Sequence, residues 1–243
     1  MYLTFLAIPQ LGPSQIDMSK IDLVLPVYNE FESLLFLVSS DDFANQDIFN
    51  VIFVNNGSTD FRVKELLSKH EALGTCQVVD SKENLGFGGG VYLGLQKSSS
   101  QIVGWYPLNL KVDFIDVSRV ARNLTTRGAF LIKALRSERA IIDHLKTFAV
   151  GLIHTIISRV NLFDSGGTPT FTNMQKEILA ANLPSGYEFE LAVLLLAKSD
   201  HWRVIRPKVR YGKRKFGVSH WQKGLLSEIR LFRKQLLFLR RKR

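Results

Sequence analysis

Three short segments of this chain group side chains and backbone suited to holding a nucleotide. Pro26-Val-Tyr-Asn-Glu30 and Asn55-Asn-Gly-Ser-Thr-Asp60 carry amides, hydroxyls and carboxylates, and Glu83-Asn-Leu-Gly-Phe-Gly-Gly-Gly90 carries four glycines. Backbone groups of the first segment and the amides of Asn55 and Asn56 offer both donors and acceptors to the edge of a nucleobase. Glycines in the third permit close backbone approach to a phosphate or ribose. Any one of these segments alone reads as an ordinary turn. All three follow apolar runs, and together they read as one ligand site. The glycine segment is neither a dinucleotide fingerprint nor a phosphate loop of the ATPase kind. Val91 stands where the fingerprint requires Gly or Ala, and no Gly-Lys-Ser/Thr occurs.

Such loops need a scaffold, and the flanking sequence supplies one. Short apolar runs at 21–26, 51–54, 76–79 and 101–105 predict buried parallel strands. Helical patterns alternate with them: 29–38, opened by an Asn29 cap, then 61–70 and 91–97. Strands alternating with helices at this spacing predict a doubly wound sheet, which binds ligands at the carboxyl ends of its strands. Further on, the patterns predict helices over 117–127, 139–161 and 187–199. They also predict a strand over 129–134 and a Pro-interrupted strand over 203–211. The 139–161 helix carries Ile142, Leu145, Phe148, Ala149, Leu152 and Ile156 at helical spacing. No repeat or linker divides the chain, and 243 residues suffice for one sizeable core. The expected organisation is an extension over 1–17 and a domain over 18–221 with halves 18–116 and 117–221. A basic helix over 222–243 completes it.

Charge is concentrated at one end. The chain carries +10 overall. Residues 203–243 hold fifteen Lys/Arg and one acid, Glu228, whereas the remaining residues hold seventeen bases against twenty-one acids. A tail of this kind suits phosphate-rich surfaces. In 222–243, Leu225, Ile229, Phe232, Leu236 and Leu239 share a helical face, with Arg230, Arg233 and Lys234 among the charges. This pattern predicts an interfacial helix on anionic lipid. Nucleic acid is not an expected partner, because basic and aromatic residues do not interleave over a sheet face. The single cysteine, Cys76, excludes an internal disulfide and points to a reducing compartment. No run of eighteen apolar residues occurs and the N-terminal run lacks a basic start, so neither a transmembrane helix nor a signal peptide is expected. The expected location is cytoplasmic, peripheral at the inner face of a membrane.

The ordered segments resemble family 2 glycosyltransferases, and most closely their dolichyl-phosphate mannose synthase-like branch. Leu25 to Glu30, Val54 to Asp60 and Glu83 to Gly90 carry the resemblance. Leu135-Arg-Ser-Glu-Arg139, Asp164-Ser-Gly-Gly-Thr-Pro169, Tyr187-Glu-Phe-Glu-Leu191 and Arg214-Lys-Phe-Gly-Val-Ser219 extend it over roughly residues 20–221. The resemblance implies an α/β GT-A-like fold, a mixed doubly wound sheet flanked by helices. It also implies a nucleoside-diphosphate sugar donor, inversion at the anomeric carbon, and a lipid-linked or cell-surface glycan acceptor. Pro26, Tyr28, Glu30, Asn55 and Asn56 are then expected at the base and ribose. Asn84, Gly86 and Asn109 join the donor site. Arg136, Arg139, Arg214 and Ser219 are expected at phosphates, to which the fork-shaped guanidinium is suited.

One motif departs from the family. Its Asp-x-Asp-x-Gln metal motif falls here on Pro107, Asn109 and Lys111. Pro offers no side-chain ligand, Asn a neutral oxygen and Lys a repelling charge, whereas Mg²⁺ or Mn²⁺ prefers charged oxygens. No metal cofactor is therefore expected unless the altered site still binds Mg²⁺ or Mn²⁺. Lys111 is expected to place its ammonium where the metal would sit and, with Arg214, to neutralise the leaving diphosphate. A solvated Lys111 in a decayed site, or Asp113 or Asp116 as a displaced ligand, are the alternatives. A non-catalytic protein that binds nucleotide sugar or a partner is the competing class. By resemblance Glu190 is the expected base, with Glu188 second. A phosphate acceptor, already anionic, would need no base.

Overall fold

The computed structural model describes residues 20–122, 124, 128–217 and 225–241. The expected extension over 1–17, and Ser219 with its neighbour His220, lie outside the described residues. In order, β1 (Ile21–Val27), α1 (Phe31–Val38), α2 (Asp41–Ala44), β2 (Phe49–Asn56), α3 (Phe61–Ala72), β3 (Gln77–Ser81), α4 (Gly86–Leu95) and β4 (Val103–Trp105) form the first half. Next come α5 (Phe114–Arg122), β5 (Phe130–Lys133), β6 (Leu135–Ser137), α6 (Ile141–Ser158), β7 (Thr170–Thr172) and α7 (Gln175–Ala180). The chain continues through α8 (Glu188–Ser199), β8 (Arg203–Ile205), β9 (Lys208–Arg210) and α9 (Leu225–Arg241).

Seven strands make one sheet in the order β3-β2-β1-β4-β7-β5-β8, and β6 pairs with β9 separately. β7 runs antiparallel to both β4 and β5, while the remaining pairs are parallel. Alternation along each strand builds two cores. Leu23, Leu25, Val51 and Phe53 face α1, α3 and α5, whereas Val24, Ile52 and Val54 face α4 and α8. Both sheet faces are covered, which is why these strands read as unbroken apolar runs. Because β1, β2 and β4 are parallel, their following loops emerge along one edge.

Several local expectations change. The glycines of the third segment belong to the start of α4 rather than to a loop. They allow close packing: a Cβ on Gly88 would lie 2.5 Å from Phe189 Cβ and one on Gly90 3.0 Å from Pro26 Cβ, and further along the helix one on Gly94 would lie 2.3 Å from Val24 Cγ1. Asn29 does not cap α1; it sits at φ 52 and bonds elsewhere. The expected strand over 203–211 divides at Pro207 into β8 and β9, which serve different sheets. α6 is long and apolar enough to cross a membrane by length and composition, contrary to the expectation that no helix is. Of the α9 face expected on lipid, Phe232 stacks its ring on His154 and Leu239 is 1% exposed, whereas Ile229 is exposed.

Candidate active site

The loops after β1, β3 and β4, with the end of β2, α4, the start of α8 and the segment after β9, surround a cleft. Pro26, Tyr28, Glu30, Asn56 and Asn84 line it on one side. Pro107, Leu108, Asn109, Tyr187 and Arg214 line it on the other, and Phe87 stacks on Tyr187 with centroids 5.6 Å apart. Seven residues expected to contact substrate therefore meet at one place.

Amides weld the first three loops together. Asn29 Oδ1 accepts hydrogen bonds from the Thr59 and Asp60 amides at 2.8 and 3.1 Å, and Ser58 Oγ accepts one from the Asn29 amide at 3.1 Å. Asn55 Nδ2 donates to Asp80 Oδ1 at 2.7 Å, and its Oδ1 accepts from the Ser58 amide at 3.2 Å. Asn56 Nδ2 donates to the Gly86 carbonyl at 2.9 Å, while its Oδ1 accepts from the Leu85 amide at 3.1 Å. These bonds explain why Asn stands at both positions. An Asp at 55 would oppose Asp80, and an Asp at 56 could not donate to Gly86. Asn55 is buried and its amide is engaged by its neighbours, as is the amide of Asn56. The amide of Gly86, at φ +78, donates to Asn84 Oδ1 at 2.8 Å and closes the same joint.

Alternation governs the stretch after β4. Tyr106, Leu108, Leu110, Val112 and Phe114 enter the core, which leaves Pro107, Asn109 and Lys111 on the other side. The Lys111 amide donates to Asn109 Oδ1 at 3.2 Å, and the Gly212 amide donates to the Lys111 carbonyl at 2.7 Å. Lys111 Nζ lies 5.4 Å from the Tyr211 ring centre, where the guanidinium carbons of Arg136 and Arg139 also lie, at 5.4 and 5.8 Å. Three cations thus converge on one aromatic face. Burial, followed by repulsion from Arg136 and Arg139, pushes the Lys111 ammonium below its ordinary value. Burial and Arg136 do the same to Arg139. Arg136 alone has a close counter-charge: its Nε donates to Asp164 Oδ1 at 2.6 Å and its amide to Oδ2 at 2.9 Å. Burial alone would raise the Asp164 carboxyl, but the Arg136 guanidinium outweighs it and holds the group below the usual carboxylate range. The loop carrying Asp164 closes over this pair, and a Cβ on Gly166 would lie 2.9 Å from the Arg136 guanidinium carbon.

Arg214 and Glu30 form an ion pair in the cleft, and Arg214 Nε donates to the Phe216 carbonyl at 2.7 Å. Glu190 is placed otherwise than a solvent-facing base would be. It is 1% exposed, 2.5 Å from Lys133 Nζ through Oε2, and its Oε1 accepts from Trp105 Nε1 at 3.2 Å. Lys133 Nζ also donates to the Gly166 carbonyl at 2.8 Å. Burial raises the Glu190 carboxyl and lowers the Lys133 ammonium, and their mutual attraction opposes both shifts. Lys133, Tyr211 and Asp164 were not singled out from the sequence as site residues. A lysine inside the buried run Ala129-Phe-Leu-Ile-Lys-Ala134 was the available signal, since an unpaired charge is not buried.

Among the described residues no group of three His, Cys, Asp or Glu is placed to hold a divalent metal. Asn109 Oδ1 accepts from the Lys111 amide, and the displaced-ligand candidates are engaged elsewhere. Asp113 pairs with Lys215 at 2.6 Å, and Asp116 pairs with Arg119.

Comparison with known proteins bears on this site. Residues 22–106 match the model of glycosyl transferase family 2. No curated protein matches the chain. Among solved structures, glucosyl-3-phosphoglycerate synthase from Mycobacterium tuberculosis, in complex with Mn²⁺, UDP and glucosyl-3-phosphoglycerate, is similar with a TM-score of 0.62 at 18% identity. That alignment covers 97% of this chain and 85% of that one. The same enzyme with phosphoglyceric acid aligns with a TM-score of 0.62 at 20% identity over 91% and 78% of the two chains. A mycobacterial protein aligns with 0.63 at 19% over 91% and 73%. The fold is therefore GT-A-like, and the family 2 match falls on β1 to β4 and the elements between them.

Proposed function

We propose that the protein is an inverting glycosyltransferase that uses a nucleoside-diphosphate sugar, works without a divalent metal, and serves an anionic acceptor on a lipid or glycan. The observation that carries this reading is the convergence of Lys111, Arg136 and Arg139 on Tyr211, with no group of three metal-ligating side chains among the described residues. The nucleotide occupies the cleft with its base near Pro26 and Tyr28 and its diphosphate toward Asn109 and Arg214. Lys111 is two residues from Asn109, which lines the cleft, and its ammonium shares the Tyr211 ring with both arginines. It adds positive charge as the leaving diphosphate takes up its electron pair. Arg136 and Arg139 hold the acceptor's anionic group. An acceptor oxygen attacks the anomeric carbon opposite the diphosphate, one C–O bond forms and the bond to the diphosphate breaks. An acceptor that is already anionic needs no base, which agrees with the burial of Glu190 against Lys133. Likeness to an enzyme whose structures hold UDP and UDP-glucose makes UDP-glucose the first donor to try.

The test is nucleotide release from UDP-glucose and other nucleotide sugars with EDTA present, using polyprenyl phosphate and small phosphate acceptors. Turnover in EDTA that falls roughly 100-fold in Lys111→Ala is expected, the size of loss seen when one preorganised charge-stabilising group is removed. Nucleotide binding without turnover, unaffected by Lys111→Ala, would instead identify a binding protein. Turnover only with added Mg²⁺ or Mn²⁺ would overturn the metal-free reading.

A further inference from the structure

The largest unexplained surface lies on α6. Ile141, Ile142, Leu145, Phe148, Leu152 and Ile156 are between 49% and 79% exposed, and they recur at the spacing of one helical face. The opposite face is used: Gly151 and His154 are buried, and α6 packs on α9. A cluster of large apolar side chains over the whole length of a helix is not an ordinary solvent face. Its surroundings are basic. Exposed Arg230, Arg233, Lys234, Arg240 and Arg241 lie on the α9 helix packed beside it, against one acid there, Glu228.

We infer that α6, flanked by the basic side chains of α9, is a docking face for an anionic membrane. The apolar stripe enters the boundary between headgroups and acyl chains, and the α9 cations meet lipid phosphates. Charge decides between this occupant and a second copy of the chain. Two copies meeting through this face would bring the same cations together, whereas an anionic bilayer attracts them. Asp143 and Lys146 in the first two turns, together with the face packed on α9, place the helix along the surface rather than across it. The assignment differs from the one drawn from sequence, because Phe232 and Leu239 of the α9 apolar face are engaged in packing while the α6 stripe is exposed over its length. It stands independently of the catalytic reading, although Arg139, at the cationic cluster, lies two residues before the start of α6.

The experiment is vesicle sedimentation of the full chain with phosphatidylcholine alone and with phosphatidylcholine–phosphatidylglycerol mixtures. Binding to the mixed vesicles only, released by high salt, is expected. Leu145→Ser/Phe148→Ser/Leu152→Ser, all at exposed positions, is expected to reduce binding at least about tenfold while melting temperature and nucleotide affinity stay unchanged. Arg233→Gln/Arg240→Gln/Arg241→Gln is expected to weaken binding and flatten its salt dependence. Binding to mixed vesicles that survives the α6 substitutions overturns the proposal. So does a wild-type dimer, seen by sedimentation velocity, that the same substitutions dissociate. Failure of nucleotide titration alone would bear on the transferase reading and leave this one standing.

Discussion

Glu190 and Lys133 are each almost fully buried, and each is the other's charge partner. Removing one member of such a pair strands the other in a low-dielectric core and typically costs about 3–5 kcal/mol. Glu190→Ala is therefore expected to lower stability by that amount in urea unfolding, and Lys133→Met in the same chain is expected to recover part of it. A Glu190 that served only as a base would lose activity and keep its stability. The contrast marks where sequence reasoning reached and where it stopped. Strand-end position alone brought Pro26, Tyr28, Glu30, Asn56 and Asn84 to one cleft, since residues after parallel strands share an edge. The Lys133–Glu190 pair joins residues 57 apart across two elements, and no local spacing encodes it. The joints made by Asn29, Asn55 and Asn56 were hidden similarly. Amides read as ligand contacts until their long-range backbone partners are known.

Elements with a strong period were legible, and short ones were not. β1, β2, α3 and α8 fall within a few residues of their predicted ranges because buried strands and apolar helices carry their pattern in full. β6, β7 and α7, of three to six residues, went unpredicted, being too short for a period to emerge. The glycine-rich start of α4 misled because Gly is a poor helix former; close approach to the sheet is what places it there. Between α6 and α9, tertiary packing has a titratable consequence. The His154 ring is fully buried, stacks on Phe232 at 5.8 Å, and finds no hydrogen-bond partner among the described residues. Burial pushes it from 6.5 down to about 4. The unfolded chain therefore binds this proton at higher pH than the folded one. Stability should fall as pH drops from 6.5 toward 4, by at most about 3 kcal/mol from this group. Urea midpoints across that range should show the loss, and His154→Phe should flatten it. Equal pH dependence in both proteins would remove His154 from the account.

Across the whole molecule, charge and sheet topology work together. The parallel strands direct their loops to one edge, and the cationic C-terminal sequence returns there as Lys208–Arg210 in β9, Tyr211 and Arg214. A net charge of +10 reads from sequence as a tail for anionic surfaces, yet part of it is built into the cleft and the Tyr211 cluster. Under the proposed function those cations, with Lys111 two residues beyond the cleft residue Asn109, supply the positive charge that meets a diphosphate. The most direct measurement is calorimetric titration of the purified chain with a panel of nucleoside diphosphates, first in EDTA and then with added Mn²⁺. The account predicts binding in EDTA that Mn²⁺ does not tighten. An affinity that appears only when Mn²⁺ is present would contradict it.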